Sequence, residues 1–261
     1  MIWYRIGSIK RSARRAGGGR NRTRDRREDY RIGTVPIGGL FLTAGVDIQK
    51  DRSEMEVVAW GRGKESWSVD YRVLERQTAE AAVWLKLTAA LNTYYPTESG
   101  FALPISKFAI DSGYATREVY AWARKYGGDR AVVIKGDSRA AAPISQPSPI
   151  DIGPQGQRIR LSIKIWPVNG SMIKEELYRW LRLDRPTDES GSPYPPGYCH
   201  FPKYSEEYFK QLTAEQLVTR IVKGYRRGEW QKTRDRNDSL DCRVYARAAA
   251  VYGMDRFTDA H

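Results

Sequence analysis

The chain of 261 residues is 41% hydrophobic and 11% aromatic, enough to bury the core of one large domain or two small ones. The net charge of +13 is uneven. Residues 1–35 hold 11 basic and 3 acidic residues, so the body is only mildly basic and its charge alone does not establish nucleic-acid binding. No apolar run approaches the ~20 residues of a membrane span, and the N-terminus lacks the apolar core of a secretion signal. No membrane partner and a cytoplasmic location are therefore expected. Cys199 and Cys242 have no metal-ligand spacing and read as reduced thiols. His200 and His261 are too few for a histidine-built zinc site, and neither suggests a Ser-His-Asp triad; His200 reads as a structural residue at a strand edge.

Residues 1–36 read as a basic flexible tail or linker. Gly17–Gly19 and the arginine-rich run after them offer no periodic apolar face, although Arg24–Tyr30 suits a short helix. The folded domain is expected over 37–261. Residues 40–48 form an apolar run that reads as a buried strand and contains Asp47. Strands over 55–60 and 67–74 complete a meander, the last with Trp67, Val69, Tyr71 and Val73 alternating on one face. Thr78 is placed to cap a helix running to about Tyr95, ended by Pro96. A strand over 105–111 ends in Asp111. A helix over 116–126 follows, with Thr116 as candidate cap, and then a strand over 131–135. Strand, helix and strand at this spacing imply parallel pairing through a right-handed crossover.

The Pro-, Ser- and Gly-rich residues 136–157 read as a long surface loop, and 158–168 as another strand. Ser171 is the candidate cap of a helix to about Leu183, and 184–197 is a Pro-rich loop. A short strand at 199–201 precedes helices over 205–211 and 213–223. The last helix, 238–252, opens on Asp238-Ser239-Leu240-Asp241, with Gly253 as its stop. The fold class is therefore α/β: an RNase H-like mixed sheet, a three-strand meander and then βαβ, flanked by helices, with an acid-bearing helix at the C-terminus.

Asp47 and Asp111 stand near the C-terminal ends of strands expected to be neighbours. Asp238 and Asp241, three residues apart, share one helical face. Carboxylates on apolar elements are costly unless compensated, and Mg or Mn compensates them with few ligands. Two such ions can activate a water and stabilise a leaving oxygen, the chemistry of phosphodiester cleavage. Each acid alone has an ordinary explanation. An Asp after a strand is commonly a turn residue, and Asp238 suits a helix N-terminus. Their order along this topology is what favours a joint site. Asp51, Glu54 and Glu56 read as solvated turn and strand residues. The roles of Asp70 and Asp137 stay open, Asp137 being a candidate for the rim of the site.

Leu42 to Arg52, Ala-Ile-Asp-Ser-Gly at 109–113, Val-Ile-Lys-Gly at 133–136 and Asn-Asp-Ser-Leu-Asp-Cys-Arg-Val-Tyr-Ala at 237–246 together resemble the C-terminal nuclease domain of the lambda-type phage terminase large subunit. The resemblance covers roughly 30–255. It implies an Mg- or Mn-dependent endodeoxyribonuclease that cuts concatemeric double-stranded DNA with two metal ions. It further implies Asp47, Asp111 and Asp238 as catalytic metal ligands and Asp241 as their support. Lys135, Arg139 and Arg234 or Arg236, near the acids, are the candidate DNA contacts. Implied partners are DNA, the terminase small subunit, the packaging ATPase domain and the portal. No Gly-x-x-x-x-Gly-Lys-Ser/Thr loop is present, and Gly61-Arg-Gly-Lys64 lacks both its spacing and its hydroxyl. The ATPase domain is therefore expected to be absent from this chain. The alternatives are another RNase H-like nuclease (a resolvase, transposase or RNase H) and a non-catalytic DNA-binding or assembly module. A proofreading exonuclease would carry Glu where Gln49 stands.

Overall fold

The computed structural model describes residues 26–75, 80–152, 158–187, 193–222 and 224–254. The meander is β1 (Phe41–Ile48), β2 (Arg52–Trp60) and β3 (Ser66–Glu75), with a 3-10 turn at Arg62–Lys64. Then come α1 (Ala81–Leu91), β4 (Tyr94–Pro96), β5 (Ala102–Asp111), α2 (Thr116–Trp122) running on into a π turn, and β6 (Ala131–Gly136). The second half holds β7 (Ser148–Ile152), β8 (Arg158–Val168), α3 (Gly170–Trp180), β9 (Cys199–His200) and α4 (Glu206–Leu212). A ribbon of β10 (Glu215–Val222) and β11 (Tyr225–Lys232) and the final helix α5 (Asp238–Met254) complete it.

The main sheet runs β7-β8-β6-β5-β1-β2-β3-β9, and β4 pairs with β5. β1 is antiparallel to β2 and parallel to β5. β5, β6 and β8 are parallel; a helix joins β5 to β6, and the connection from β6 to β8 carries β7. Alternation along β1 sends Leu42, Ala44, Val46 and Ile48 to one face, where α1 and α2 cover them with Val83, Leu87, Leu91, Val119 and Trp122. Val58, Trp60, Ala109 and Ile134 face the other way, under α3, α4 and α5. Asp47 alternates with Val46 and Ile48, so it points to the α5 side.

α5 lies on β1 at backbone contact. A Cβ on Gly45 would fall 2.0 Å from the Cys242 carbonyl oxygen and 2.4 Å from the Ala246 nitrogen. The helix presents Ala246, Ala248, Ala249 and Ala250 as fully buried residues, small enough to permit that approach.

Several elements differ from the sequence-based expectation. Residues 215–222 are a strand, not part of a helix. Leu217, Val218, Ile221 and Val222 have helical spacing, but the β-branched residues pair across the turn at Gly224 (φ 81°) with 225–232. The loop expected over 136–157 contains β7, antiparallel to β8. α1 stops at Leu91, and Tyr94–Pro96 becomes a strand beside β5. The predicted cap Thr78 lies outside the described residues. Thr116 does not cap α2, because its hydroxyl donates back to the Ser112 carbonyl. α3 is capped by Asn169, whose side chain accepts from the Met172 N–H, rather than by Ser171. Gly253 lies inside α5 rather than after it.

A bulge in β3 breaks its expected alternation. Val57 pairs with Asp70 and Val58 with Ser68, which sends Tyr71 to the face opposite Trp67 and Val69. Residues 1–25 of the expected tail lie outside the described residues. Residues 26–30 are not helical and have fixed places on the body. The Glu28 N–H donates to the Phe201 carbonyl at 2.8 Å, the Tyr30 hydroxyl donates to the Ser68 carbonyl, and Val35 is fully buried.

Gly45→Ala is expected to cost at least the ~1–3 kcal/mol of an overpacked core, because the obstruction is backbone rather than a movable side chain. Urea unfolding checks it. A midpoint equal to wild type would mean that α5 is free to lift off β1.

Candidate active site

Four carboxylates gather where β1 and β5 end beneath the first turn of α5. Val46 pairs with Ile110, so Asp47 and Asp111 follow side by side on parallel strands. Leu240 and Val244 bury one face of α5, and Gly45 seats Cys242 and Ala246. This sets Asp238 and Asp241 over the end of β1.

Asp47 is 2% exposed. Burial drives its carboxyl well above the usual carboxylate range, and the charges of Asp241, Asp111 and Asp238, in that order, push it further up. Its opposing partner is a neutral amide, Gln49 Nε2, at 2.7 Å. Asp111 is half-buried. Its carboxyl is raised by burial, and held back by the Gly113 N–H (3.0 Å), by the Ser112 backbone and by the charge of Lys135. Asp241 is raised to about 6, again by burial, with Lys174 opposing. Asp238 is buried and accepts a 2.9 Å hydrogen bond from Arg236 Nε.

The two helix acids have different company. Asp111, Asp241 and Asp47 all act on the Tyr245 hydroxyl, which burial already holds well above its usual range. Asp238 instead acts on Glu54, and Arg236 lies 3.6 Å from the same Glu54. Asp47 takes charge from both groups, from Asp241 and Asp111 and from Asp238.

The sequence reading missed Glu54. Glu54 and Glu56 are 1% and 0% exposed, not solvated. They alternate with Met55 and Val57 on β2, and Glu54 stands directly opposite Asp47 in the β1–β2 ladder. The available signal was that alternation, Glu54, Glu56, Val58 and Trp60 against Met55, Val57 and Ala59. Glu54 accepts a short hydrogen bond from the Tyr71 hydroxyl and faces Arg52 at 3.5 Å. Glu56 is paired with fully buried Arg243 at 2.9 Å. Asp51 is solvated as expected. Asp70 is on the other face, held by Arg72 and the Tyr95 hydroxyl.

The basic candidates divide in the same way. Lys135 is exposed at the end of β6 and acts on Asp111. Arg139 is 93% exposed by side chain, with Asp137 3.6 Å away. Arg234 reaches Glu207 at 3.4 Å, and Arg236 is committed to Asp238 and Glu54. His200 is a strand-edge residue, buried against Trp67 and between Glu28 and Glu65. Gly61–Lys64 is the turn between β2 and β3, where Lys64 pairs with Glu176 at 3.4 Å.

The donors are carboxylate oxygens, the type that hard divalent cations prefer, and the strained charge of Asp47 is what such a cation relieves. As the side chains stand, no three His, Cys, Asp or Glu residues among those described close on one ion position. The residue types fit a cation, and their carboxylates would have to turn inward to hold one.

A mixed α/β sheet with acids converging from two parallel strands and a helix defines the class. The family described as "Terminase large subunit gpA, endonuclease domain" matches residues 12–257. The chain belongs to that family. It is 32% identical over 239 residues to the terminase large subunit of Escherichia phage lambda, covering 89% of this chain and 35% of that protein. It is 33% identical over 226 residues to that of Enterobacteria phage P21, covering 85% and 34%. The chain thus spans about a third of the length of these relatives. No solved structure matches it. Among the described residues, no helix is long and apolar enough to cross a membrane.

Asp47→Asn is expected to raise the melting temperature of the metal-free protein at pH 7, by ~2–4 °C per kcal/mol recovered. The folded carboxyl is raised above its unfolded value. Its contribution to stability is therefore lost as pH rises from about 4, where the unfolded group ionises, toward the raised folded value. The advantage of Asn should shrink as pH falls toward 4. Calorimetry at several pH values, in chelator, checks the sign; a lower melting temperature for the variant at pH 7 contradicts it.

Proposed function

We propose that this domain cuts double-stranded DNA by two-metal phosphodiester hydrolysis, as the nuclease of a viral packaging terminase. The observation that carries the reading is Asp47, buried among Asp111, Asp238 and Asp241 with a neutral amide as its hydrogen-bond partner, in a chain of this family. The strand order around β3-β2-β1-β5-β6, with β1 antiparallel to β2 and parallel to β5, supports an RNase H-like fold.

Asp47, Asp111 and Asp238 are the proposed ligands for Mg or Mn. Bound there, the ions would activate a water and stabilise the leaving oxygen. Gln49 and the Gly113 N–H each engage Oδ2 of their carboxylate, which orients Asp47 and Asp111. Asp241 has both oxygens engaged, by Asn237 at 2.8 Å and Lys174 at 3.5 Å, which suits a supporting role. A second reading makes Asp241 the third ligand. It is favoured by the charge of Asp241 acting on Asp47 more strongly than that of Asp238.

Lys135, Arg139, Arg234 and Arg236 are the proposed phosphate contacts. The exposed ribbon adds Arg220, Arg226 and Arg227, which a helical reading of 213–223 could not place together. Arg220 is directly opposite Arg227 and pairs with Glu229 at 3.0 Å, which leaves Arg226 and Arg227 as the ribbon's stronger phosphate candidates. In the intact system, acting in the host cytoplasm on concatemeric DNA, the partners would be the small subunit, the packaging ATPase domain and the portal.

Plasmid cleavage with Mg or Mn tests the proposal. Asp47→Asn should lose more than ~100-fold in rate while staying folded, beyond what residues outside the ligand set usually cost. Wild-type cleavage by that variant refutes the assignment. Asp238→Ala should stay inactive at any metal concentration, whereas Asp241→Ala should recover partly at high metal; the reverse selects the second reading. Preference for hybrid or junction substrates would indicate another RNase H-like nuclease, and metal-independent binding without cleavage an assembly module. DNA affinity should fall steeply between 50 and 200 mM salt. Arg226→Ala with Arg227→Ala should lower the salt slope by about 2 if both touch phosphate. An unchanged slope removes the ribbon from the interface.

A further inference from the structure

Lys174 lies on α3, outside the elements that carry the acids. Its ammonium is 2.7 Å from Glu215 Oε1 and 3.5 Å from Asp241 Oδ1, and its side chain is 15% exposed. Asn237 repeats the bridge, its Nδ2 donating to Glu215 Oε1 at 2.7 Å and to Asp241 Oδ2 at 2.8 Å. Two donors therefore hold both oxygens of Asp241, and the same two hold the first residue of the ribbon. Tyr178, one turn further along α3, fixes the Glu215 backbone. Its hydroxyl donates to the Glu215 carbonyl at 2.7 Å and accepts from the Glu215 N–H at 3.2 Å. Trp230, on the second ribbon strand, packs against Tyr178 with ring centroids 5.0 Å apart.

A lysine beside a nuclease site ordinarily suggests a phosphate contact. This one is largely buried and spent on two carboxylates. Lysine has three rotatable donors, so it can serve both at once.

We propose that Lys174 is a positioning residue of the acidic site: by bridging Glu215 and Asp241 it holds the Asp241 carboxylate beside Asp47 and ties the base of the β10–β11 ribbon to it. The proposal rests on the reading that these acids bind a divalent cation. It assigns Lys174 a place behind the acids, without contact to DNA.

The test compares Lys174→Met, Lys174→Arg and Glu215→Gln in the full chain. The readouts are Mn2+ binding by calorimetry, cleavage against Mn2+ concentration, DNA affinity in chelator and thermal unfolding. Lys174→Met should weaken Mn2+ binding by roughly tenfold, the low end of losses when an outer residue supporting a metal site is removed, because Lys174 acts through the supporting Asp241. Its cleavage should recover at raised Mn2+, and its DNA affinity should match wild type. Lys174→Arg should restore most of the Mn2+ affinity. Unchanged Mn2+ affinity with weakened DNA binding would make Lys174 a phosphate contact and overturn the proposal. If Lys174→Met does not fold, Glu215→Gln decides, because it weakens one arm of the bridge while keeping its shape; wild-type Mn2+ affinity in that variant overturns the proposal. A wild-type chain that neither binds Mn2+ nor cuts with it removes the proposed function itself, and this inference falls with it, a result visible before any variant is made.

Discussion

The contact on which the site depends is apolar and main-chain: α5 resting on β1 at Gly45. Helices usually stand off a sheet by the thickness of their side chains. Here the missing Cβ of Gly45 lets the Cys242 carbonyl and the Ala246 nitrogen approach the strand directly. Two residues along the strand is Asp47; on the helix, Asp241 immediately precedes Cys242 and Asp238 is one turn further back. At this contact the packing involves no charge, so neutralising Asp47 leaves the seat of α5 on β1 intact.

That arrangement holds the acids at an energetic disadvantage. Burial removes water from Asp47, and Asp241, Asp111 and Asp238 add repulsion. The flanks are relieved, Asp238 by Arg236 and Asp241 by Lys174. At the centre, Asp47 is hydrogen-bonded by the Gln49 amide, which orients a carboxylate without neutralising it. Native structures retain such an imbalance where a bound ion offsets it, and perturbed carboxyls cluster at functional sites for that reason. The graded relief, cations outside and a neutral donor inside, favours a site built around Asp47.

The parts legible in the sequence were those set by strong periodicity. β1, β5, β6 and β8 follow from apolar runs, and α5 from Leu240, Val244 and Ala248. The acids at their ends followed from the same runs. The ribbon was not legible, because Leu217, Val218, Ile221 and Val222 satisfy helical spacing, while their strand character depends on pairing across the turn at Gly224 with residues 225–230. Glu54 and Glu56 were misread because charged residues on a strand near a turn are ordinarily solvated. Their burial comes from Tyr71, Tyr208, Arg52 and Arg243, whose positions depend on the assembled fold. The bulge at Val69, which turns Tyr71 toward Glu54, leaves no mark in a two-residue alternation.

Glu56 and Arg243 show how the helix is kept in register. A fully buried ion pair rarely adds much net stability, since desolvating both charges offsets their attraction. This one is specified in detail. Arg243 donates to Glu56 at 2.9 Å and to the Ser66 hydroxyl at 2.7 Å, between the rings of Trp60 and Phe201. Ser68 and Tyr208 donate to the same Glu56 oxygen. Apolar packing of an alanine-rich helix tolerates a slide or rotation at small cost, whereas a slide here would strand two buried charges. Gly45 fixes how close α5 lies, and Arg243 fixes which residues face down. Both are needed to set Asp238 and Asp241 over Asp47, because a helix at the right height but one residue out of phase would carry its acids away from the strand ends.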